Sequence, residues 1–206
     1  MGETSEVKVS FGYLEEKILR GKGIDIGCGE DPLFPDVYRF DFQDGDANNI
    51  TRYVQEEFDY VFSSHCLEHM LDPVHALKEW WQLVKLGGYM YIIVPDEDLY
   101  EKGNWPSINN KNHKFSFTTW KKKSWSPVSV NIVDLIKELP GAYLIRLAVM
   151  DEGDNYSLMF VLRKDAAEEN KQWPKIEKSY PKWCRVFANF WLFSPKRRRA
   201  FRNRCR

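Results

Sequence analysis

Two glycines and an acidic residue stand where a short apolar segment ends, and they are the residues of this chain best placed to hold a ligand. Gly27 and Gly29 close the run Gly23–Gly29, in which Asp25 lies between two isoleucines. Glycine adopts positive φ and lets a ligand approach backbone that any Cβ would keep away. In open α/β sheets, nucleotides bind at such a loop, at the carboxyl end of a parallel strand. The run therefore predicts a strand and a nucleotide-binding turn, although a plain glycine turn would look the same.

Three further apolar runs continue this pattern. Residues 37–41 end in Asp41, and residues 58–64 lead into His65–His69. Residues 89–95 are continuously apolar, as expected of a strand buried on both faces. A parallel α/β sheet is the architecture that these runs favour.

A helix is predicted between the last two of these strands. Asp72 is a good N-cap, and Pro73 is favoured at the first helical position. The helix is expected to end at Gly87 and Gly88, where glycine suits a left-handed C-cap. Residues 131–139 are predicted as another helix, followed by an antiparallel hairpin of strands at 142–150 and 156–163 around a polar turn.

The first half of the predicted sheet is short of connecting residues. Only seven residues separate Gly29 from Val37, and two of them are prolines. A parallel crossover normally takes a dozen or more residues, whereas seven extended residues reach about 23–25 Å, enough to return along a short strand. Seventeen residues separate Asp41 from Asp59, again few for a helix, a strand and loops. We expect this half to have lost helices, and an edge strand as well.

In order and spacing, these motifs resemble the class I S-adenosylmethionine-dependent methyltransferases. The resemblance spans roughly residues 21–120 and rests on DIGCG, Asp41, GDA, FDYVFSSHCLEH and LGGYMYIIVP. It implies a Rossmann-like, mostly parallel α/β sheet whose last strand is antiparallel. A weaker similarity points to small bacterial members associated with sugar and cell-envelope biosynthesis.

The resemblance assigns roles to the strand ends. Asp41 would accept hydrogen bonds from the ribose hydroxyls, Phe42 would pack on the adenine, and Asp46 and the Ala47 amide would meet the adenine edge. Asp25 would orient the glycine turn or meet the amino group of the cofactor. The implied cofactor-binding set is Asp25, Gly27, Cys28, Gly29, Asp41, Phe42, Asp46, Ala47 and Ser64. For Asp41 and Asp46, the alternative is a solvated acid at a strand end or turn.

Two histidines are the predicted catalytic residues. His65 follows the strand that meets the methyl-donor pocket, and His113 lies in a long loop after Asp96. Neutral histidine near pH 7 suits a general base for a hydroxyl acceptor. The alternative for His113 is a histidine hydrogen-bonded within a loop. His69 is expected either to brace the following helix or to act in chemistry.

One motif points elsewhere. His65, Glu68 and His69 spell H-x-x-E-H, the inverted zinc-protease motif. That motif needs both histidines on one helix and a distant carboxylate, whereas here it follows a buried strand directly. We therefore predict no metal.

Charge divides the chain. Residues 165–206 carry twelve Lys and Arg against four Asp and Glu, so they have a net charge of +8 and residues 1–164 a net charge of −8. We predict a catalytic domain over 1–164 and a basic, aromatic segment over 165–206. That segment either packs on the domain as a helix or lies on an anionic membrane surface, with nucleic-acid binding less favoured. The expected loss of helices would leave one face of the sheet short of cover. Either this segment or the interface of a homodimer would cover that face.

The sequence thus predicts a cytoplasmic enzyme, either free or peripheral at the inner face of the membrane. It would transfer a methyl group from S-adenosylmethionine to a small-molecule or glycan-linked acceptor, most simply at oxygen, as in polysaccharide biosynthesis. The first ten residues lack the apolar region of a signal peptide, and the four cysteines have no zinc or disulfide spacing. The alternatives are an N- or nucleic-acid methyltransferase, or a partner subunit that binds the cofactor without turnover.

Overall fold

The computed structural model of the protein describes residues 3–9, 11–150 and 156–166. Helices α1 to α4 span Glu3–Lys8, Tyr13–Ile18, Pro73–Gln82 and Ile132–Lys137. Strands β1 to β8 span Gly23–Ile26, Tyr38–Phe40, Phe58–Ser64, Val84–Pro95, Ser116–Thr118, Ser129–Asn131, Ala142–Met150 and Ser157–Lys164. Two 3-10 helices span Ala47–Arg52 and Leu67–His69. The predicted basic segment lies outside the described residues from position 167 onward, and so does its predicted membrane contact.

Six strands form the central sheet, in the order β2-β1-β3-β4-β8-β7. Strands β1 to β4 pair in parallel, while β8 runs antiparallel to both β4 and β7. The predicted fold class is therefore confirmed, including the antiparallel final pair. Because β1, β2 and β3 are parallel neighbours, their carboxyl ends meet at one edge of the sheet.

The expected trimming of the first half is confirmed. Residues 27–37, which join β1 to β2, contain no helix. Residues 41–57, which join β2 to β3, contain only the 3-10 helix Ala47–Arg52. Strand β2 is consequently an edge strand, and residues 41–57 follow directly from its carboxyl end.

Helix α3 begins as predicted but ends earlier. The Asp72 carboxylate accepts hydrogen bonds from the Val74 and His75 amides, which caps the first turn. The prediction that the helix ends at the glycine pair is wrong, because α3 ends at Gln82 and β4 already begins at Val84. Val84 pairs with Phe58 of β3, so a tertiary pairing draws the chain into the sheet before the glycines are reached.

Each face of the sheet carries its own apolar core. On one face, helices α3 and α4 cover strand residues such as Ile24 and Ile92, with Trp80 fully buried. On the other, Val7 of α1 and Ile18 of α2 pack with Tyr91 and neighbouring residues. These two six-residue helices, which the sequence did not predict, supply cover on this face.

Candidate functional site

The glycine turn after β1 combines a closely packed position with an open one. Gly27 has φ 78°, and a Cβ there would lie 2.6 Å from the Cys66 side chain in the turn after β3. Gly29 has φ 53° and is exposed, and a Cβ there would meet no protein atom within 4 Å. The absence of a side chain at Gly27 thus lets the turn pack directly against Cys66, whereas the space next to Gly29 is open.

Asp41 ties the end of β2 to this turn. Its Oδ2 accepts a hydrogen bond from the Gly29 amide at 2.5 Å, and its Oδ1 accepts one from the Phe42 amide at 2.6 Å. Arg39 donates to the Gly29 carbonyl from the same strand. A carboxylate has about four acceptor positions, so Asp41, which is half-buried, can accept further bonds from a ligand.

Asp25 is a buried acid beneath the turn. Only 1% of its surface is exposed, and its Oδ2 accepts a hydrogen bond from the Leu33 amide at 2.7 Å. Burial raises the pKa of Asp25 from 3.8 to about 7, although the Leu33 hydrogen bond favours the charged form. Near neutral pH this carboxyl group can therefore change its charge, which suits contact with a cationic ligand group.

The predicted adenine-binding residues follow β2. The Asp46 carboxylate accepts hydrogen bonds from Asn48 and Asn49, which lower its pKa. It thereby caps the 3-10 helix that begins at Ala47. The Ala47 amide lies in the first turn of this helix, so it has no acceptor within the helix. The Phe42 side chain is 94% exposed. The capping role accounts for Asp46 without a ligand, and its adenine contact stays a prediction.

Two other predicted residues are buried side chains behind the strand ends. Burial raises the pKa of the Cys28 thiol, which is therefore poorly nucleophilic. Ser64 ends β3, and its buried Oγ has no hydrogen-bond partner. Because β1 and β3 are neighbours, the structure places Ser64 and His65 at the same sheet edge as the glycine turn.

His65 occupies a constrained position directly after β3. Its φ of 54° is unusual for a residue with a side chain. Its Nδ1 lies 3.5 Å from Glu68 Oε1, and its Nε2 lies 3.2 Å from the Ser157 Oγ of β8. The imidazole is accessible, with 14% of the side chain exposed, and each of its ring nitrogens lies near one neighbouring side chain.

Glu68 is a functional candidate that sequence reasoning treated only as part of a metal motif. It is fully buried, and neither carboxylate oxygen makes a hydrogen bond. A buried carboxylate left without such bonds is costly, so a partner or a ligand is expected there. The nearest ring nitrogens are those of His65, at 3.5 Å, and of His113, at 3.9 Å.

His113, the second predicted catalytic residue, belongs to the same cluster. Its Nδ1 lies 2.7 Å from Oε1 of Glu101, which is fully buried. Its ring stacks on Tyr100 and meets the His69 ring edge-on. Sequence reasoning missed Glu101, because an acid twelve positions away in an irregular loop leaves no periodic signal.

The described part of the chain also contains a surface cavity remote from this site. It measures about 310 Å³ and lies at the other edge of the sheet, where β3 and β4 begin, lined by residues that include Lys17, Asp59, Lys85 and Gly87. Ligands of open α/β sheets bind at the carboxyl ends of strands. The cavity is therefore not the expected cofactor site.

The residues at the strand ends fit a nucleoside that carries an amino-acid group. The open space at Gly29 can receive part of a ligand, and the buried Asp25 below the turn can face a cationic group. Asp41 supplies a carboxylate at the neighbouring strand end.

Comparison with known proteins agrees with this architecture. Residues 30–92 match the family described as "Methyltransferase domain". No curated protein sequence matches the chain at a significant level.

Three solved structures are similar to the chain. The plantazolicin methyltransferase BamL, in complex with SAH and a triazolic desmethylPZN analog, has 13% identity and a TM-score of 0.52, covering 79% of this chain and 84% of that one. An S-adenosylmethionine-dependent methyltransferase from Clostridium acetobutylicum has 9% identity and a TM-score of 0.50, covering 78% and 95%. A SAM-dependent methyltransferase from Thermotoga maritima has 19% identity and a TM-score of 0.48, covering 79% and 88%. The first two support the fold.

Among the residues that the structure describes, no helix has the length and apolar character needed to cross a bilayer.

Proposed function

We propose that the chain is a class I S-adenosylmethionine-dependent methyltransferase, which its fold and the methyltransferase domain matched over residues 30–92 support, and that it methylates an oxygen of a small-molecule or glycan-linked acceptor. When bound, S-adenosylmethionine supplies a methyl group on a sulfonium, which is already a good electrophile. The protein then has to bind the nucleoside, exclude water and bring the acceptor into line.

One observation carries the cofactor assignment: the open space at Gly29 lies beside the Asp41 carboxylate. These two residues are joined by a hydrogen bond of 2.5 Å, so the tips of β1 and β2 form one unit. The remaining acceptor positions of Asp41 suit a pair of ribose hydroxyls, since hydrogen bonds to a charged acceptor are the stronger kind. Asp25 lies where an ammonium group would favour its charged form.

His65 is the proposed general base. It is the accessible imidazole at the sheet edge, and Glu68 lies 3.5 Å behind its Nδ1. A buried carboxylate stabilises an imidazolium, so the ring can accept the proton that a hydroxyl loses as it is methylated. This pairing favours an acceptor that must be deprotonated, which is why we propose oxygen.

His113 has a supporting place in the proposal. Only 2% of its side chain is exposed, and Glu101 holds its Nδ1. Its other nitrogen faces Glu68 at 3.9 Å. We therefore propose that His113 lies in the buried cluster around Glu68 and does not contact the acceptor.

A screen with labelled methyl donor tests the proposal. Nucleotide sugars, glycolipids and small phenols or amines would be offered to the full chain, with the methylated atom identified by mass spectrometry and NMR. A labelled ether or ester supports the proposal, whereas labelling at nitrogen alone contradicts the oxygen assignment. Binding of S-adenosylhomocysteine without turnover of any acceptor would favour a partner subunit instead.

A further inference from the structure

Three side chains around the buried Glu68 carboxylate have the composition of a metal-binding site. Glu68, His69 and His113 each present a ligand atom, and these atoms lie within 4.8 Å of one another. We propose that the three residues bind one first-row divalent transition-metal ion. This departs from the sequence-based expectation of no metal, because the third ligand comes from a loop more than forty residues away.

The hydrogen bonds of the two histidines prepare them as ligands. His69 Nδ1 lies 3.1 Å from the Asn112 carbonyl oxygen, and His113 Nδ1 lies 2.7 Å from Glu101 Oε1. A carbonyl or carboxylate oxygen only accepts, so each Nδ1 carries the proton. The Nε2 atom of each neutral ring then has a free lone pair. Histidines that bind metals are typically oriented by such a bond from the other ring nitrogen.

Glu68 supplies the observation that points independently to a ligand. The side chain is completely buried, and both oxygens lack a hydrogen-bond partner. Oε1 lies near two ring nitrogens, those of His65 at 3.5 Å and of His113 at 3.9 Å. A cation would satisfy the carboxylate and offset the cost of burying it. Because a carboxylate has about four acceptor positions, Glu68 can bind the ion and also accept a bond from His65.

Backbone contacts hold the two ligand-bearing segments together. The Glu68 carbonyl accepts a hydrogen bond from the Lys114 amide at 2.8 Å. The Lys114 ammonium group donates to the His69 carbonyl at 2.7 Å. The turn that carries Glu68 and His69 is thus fixed against the residue next to His113, so ion binding requires only side-chain adjustment.

The ligand set selects the class of ion. Two imidazole nitrogens and one carboxylate suit zinc, iron, cobalt and nickel, whereas calcium and magnesium prefer oxygen. Bonds of about 2.1 Å place tetrahedral ligand atoms about 3.4 Å apart, so the 3.9 Å between Glu68 Oε1 and His113 Nε2 closes with a small rotation. Three protein ligands leave at least one coordination position open.

Because Glu68 lies 3.5 Å from His65, the ion would lie near the sheet edge that carries the proposed base. There the ion would bind an acceptor oxygen and favour its deprotonation; this role rests on the proposed function, whereas binding of the ion does not.

Metal binding by the untagged full chain tests the site directly. After treatment with a chelator, the protein would be titrated with Co²⁺ followed by visible absorption, and with Zn²⁺ by calorimetry. We expect one ion per chain. Glu68→Gln and His69→Ala should each weaken binding at least about 100-fold, and Glu101→Gln about 10–100-fold, since it only orients a ligand. His75→Ala removes a histidine outside the cluster and should bind as the wild type does.

Each outcome decides the matter. No binding by the wild type, unchanged binding in both Glu68→Gln and His69→Ala, or loss in His75→Ala would overturn the proposal. Circular dichroism and S-adenosylhomocysteine binding report whether the variants fold; if Glu68→Gln does not, His69→Ala, at a half-buried position, decides. A chain that binds S-adenosylhomocysteine but no ion refutes only this site, whereas one that binds the ion but not the nucleoside refutes only the proposed function.

Discussion

The Gly29 amide donates a 2.5 Å hydrogen bond to the Asp41 carboxylate, which joins the tips of two parallel strands. The same carboxylate is the residue proposed to hold the ribose, so the turn and the ribose contact depend on each other. A change in Asp41 should therefore alter both the conformation of the turn and the binding of the nucleoside.

Replacement of Asp41 separates its charge from its hydrogen bond. Asp41→Ala should weaken S-adenosylhomocysteine binding by roughly 2–4 kcal/mol, because a charge-assisted pair is lost. Asp41→Asn keeps one acceptor for the Gly29 amide and should fall between Asp41→Ala and the wild type. Calorimetry measures all three, with the exposed Asp134→Asn of α4 as control. Equal affinities for wild type and Asp41→Ala would remove Asp41 from the site.

Gly29→Ala should impair binding more than folding. A Cβ at this position meets no protein atom within 4 Å but enters the space proposed for the cofactor. Positive φ should cost about 1–2 kcal/mol of unfolding free energy, while affinity for S-adenosylhomocysteine should fall at least about tenfold, or roughly 1.4 kcal/mol.

Gly87→Ala is the matched control for this change. Gly87 has φ 80° and equally open surroundings, but lines the cavity at the opposite edge of the sheet. Its stability cost should be similar and its nucleoside affinity unchanged. The reverse pattern, with binding lost only in Gly87→Ala, would move the cofactor site to that cavity.

The raised pKa of Asp25 makes stability depend on pH. The folded state holds its proton up to about pH 7, whereas the unfolded chain releases it near pH 3.8. The contribution of Asp25 to the free energy of unfolding is therefore fully present below pH 3.8 and declines up to about pH 7, by as much as about 4 kcal/mol.

Asp25→Asn should remove this decline, because Asn does not titrate and can still accept the Leu33 bond. Urea unfolding at pH 4.5 and 7.5 compares the two proteins. Asp25→Asn should gain stability relative to the wild type as the pH rises, and a constant difference would show that Asp25 titrates normally.

His65→Gln should affect turnover without affecting cofactor binding. Loss of a general base typically lowers kcat by about 10²–10⁴-fold, while affinity for S-adenosylhomocysteine should stay within about twofold. The acceptor found in the screen would be used, with His75→Gln as control. Full activity of His65→Gln would assign the base role to another group.

The strands and the glycine turn could be predicted because their signals are local. Runs such as residues 58–64 and 89–95 have the apolar character of buried strands, and Asp72 with Pro73 marks a helix start. The end of α3 could not be predicted, because the pairing of Val84 with Phe58 is tertiary. Each of the first two helices has six residues, too few for a clear periodicity.

The cluster around Glu68 was also beyond sequence reasoning. The H-x-x-E-H motif suggests His65 and His69 as a ligand pair, but these two histidines are not grouped in the fold. His113 replaces His65 in the set that can hold an ion, because the long loop folds back onto Glu68. Contacts between distant segments of this kind leave no spacing to recognise.

Calorimetric titration of the full chain with S-adenosylhomocysteine, repeated on Gly29→Ala, tests most directly whether the tips of β1 and β2 bind the nucleoside. We predict one site per chain in the wild type and at least tenfold weaker binding in the variant, the factor that corresponds to about 1.4 kcal/mol. No heat of binding in the wild type, or equal affinity in a correctly folded Gly29→Ala, would contradict the account.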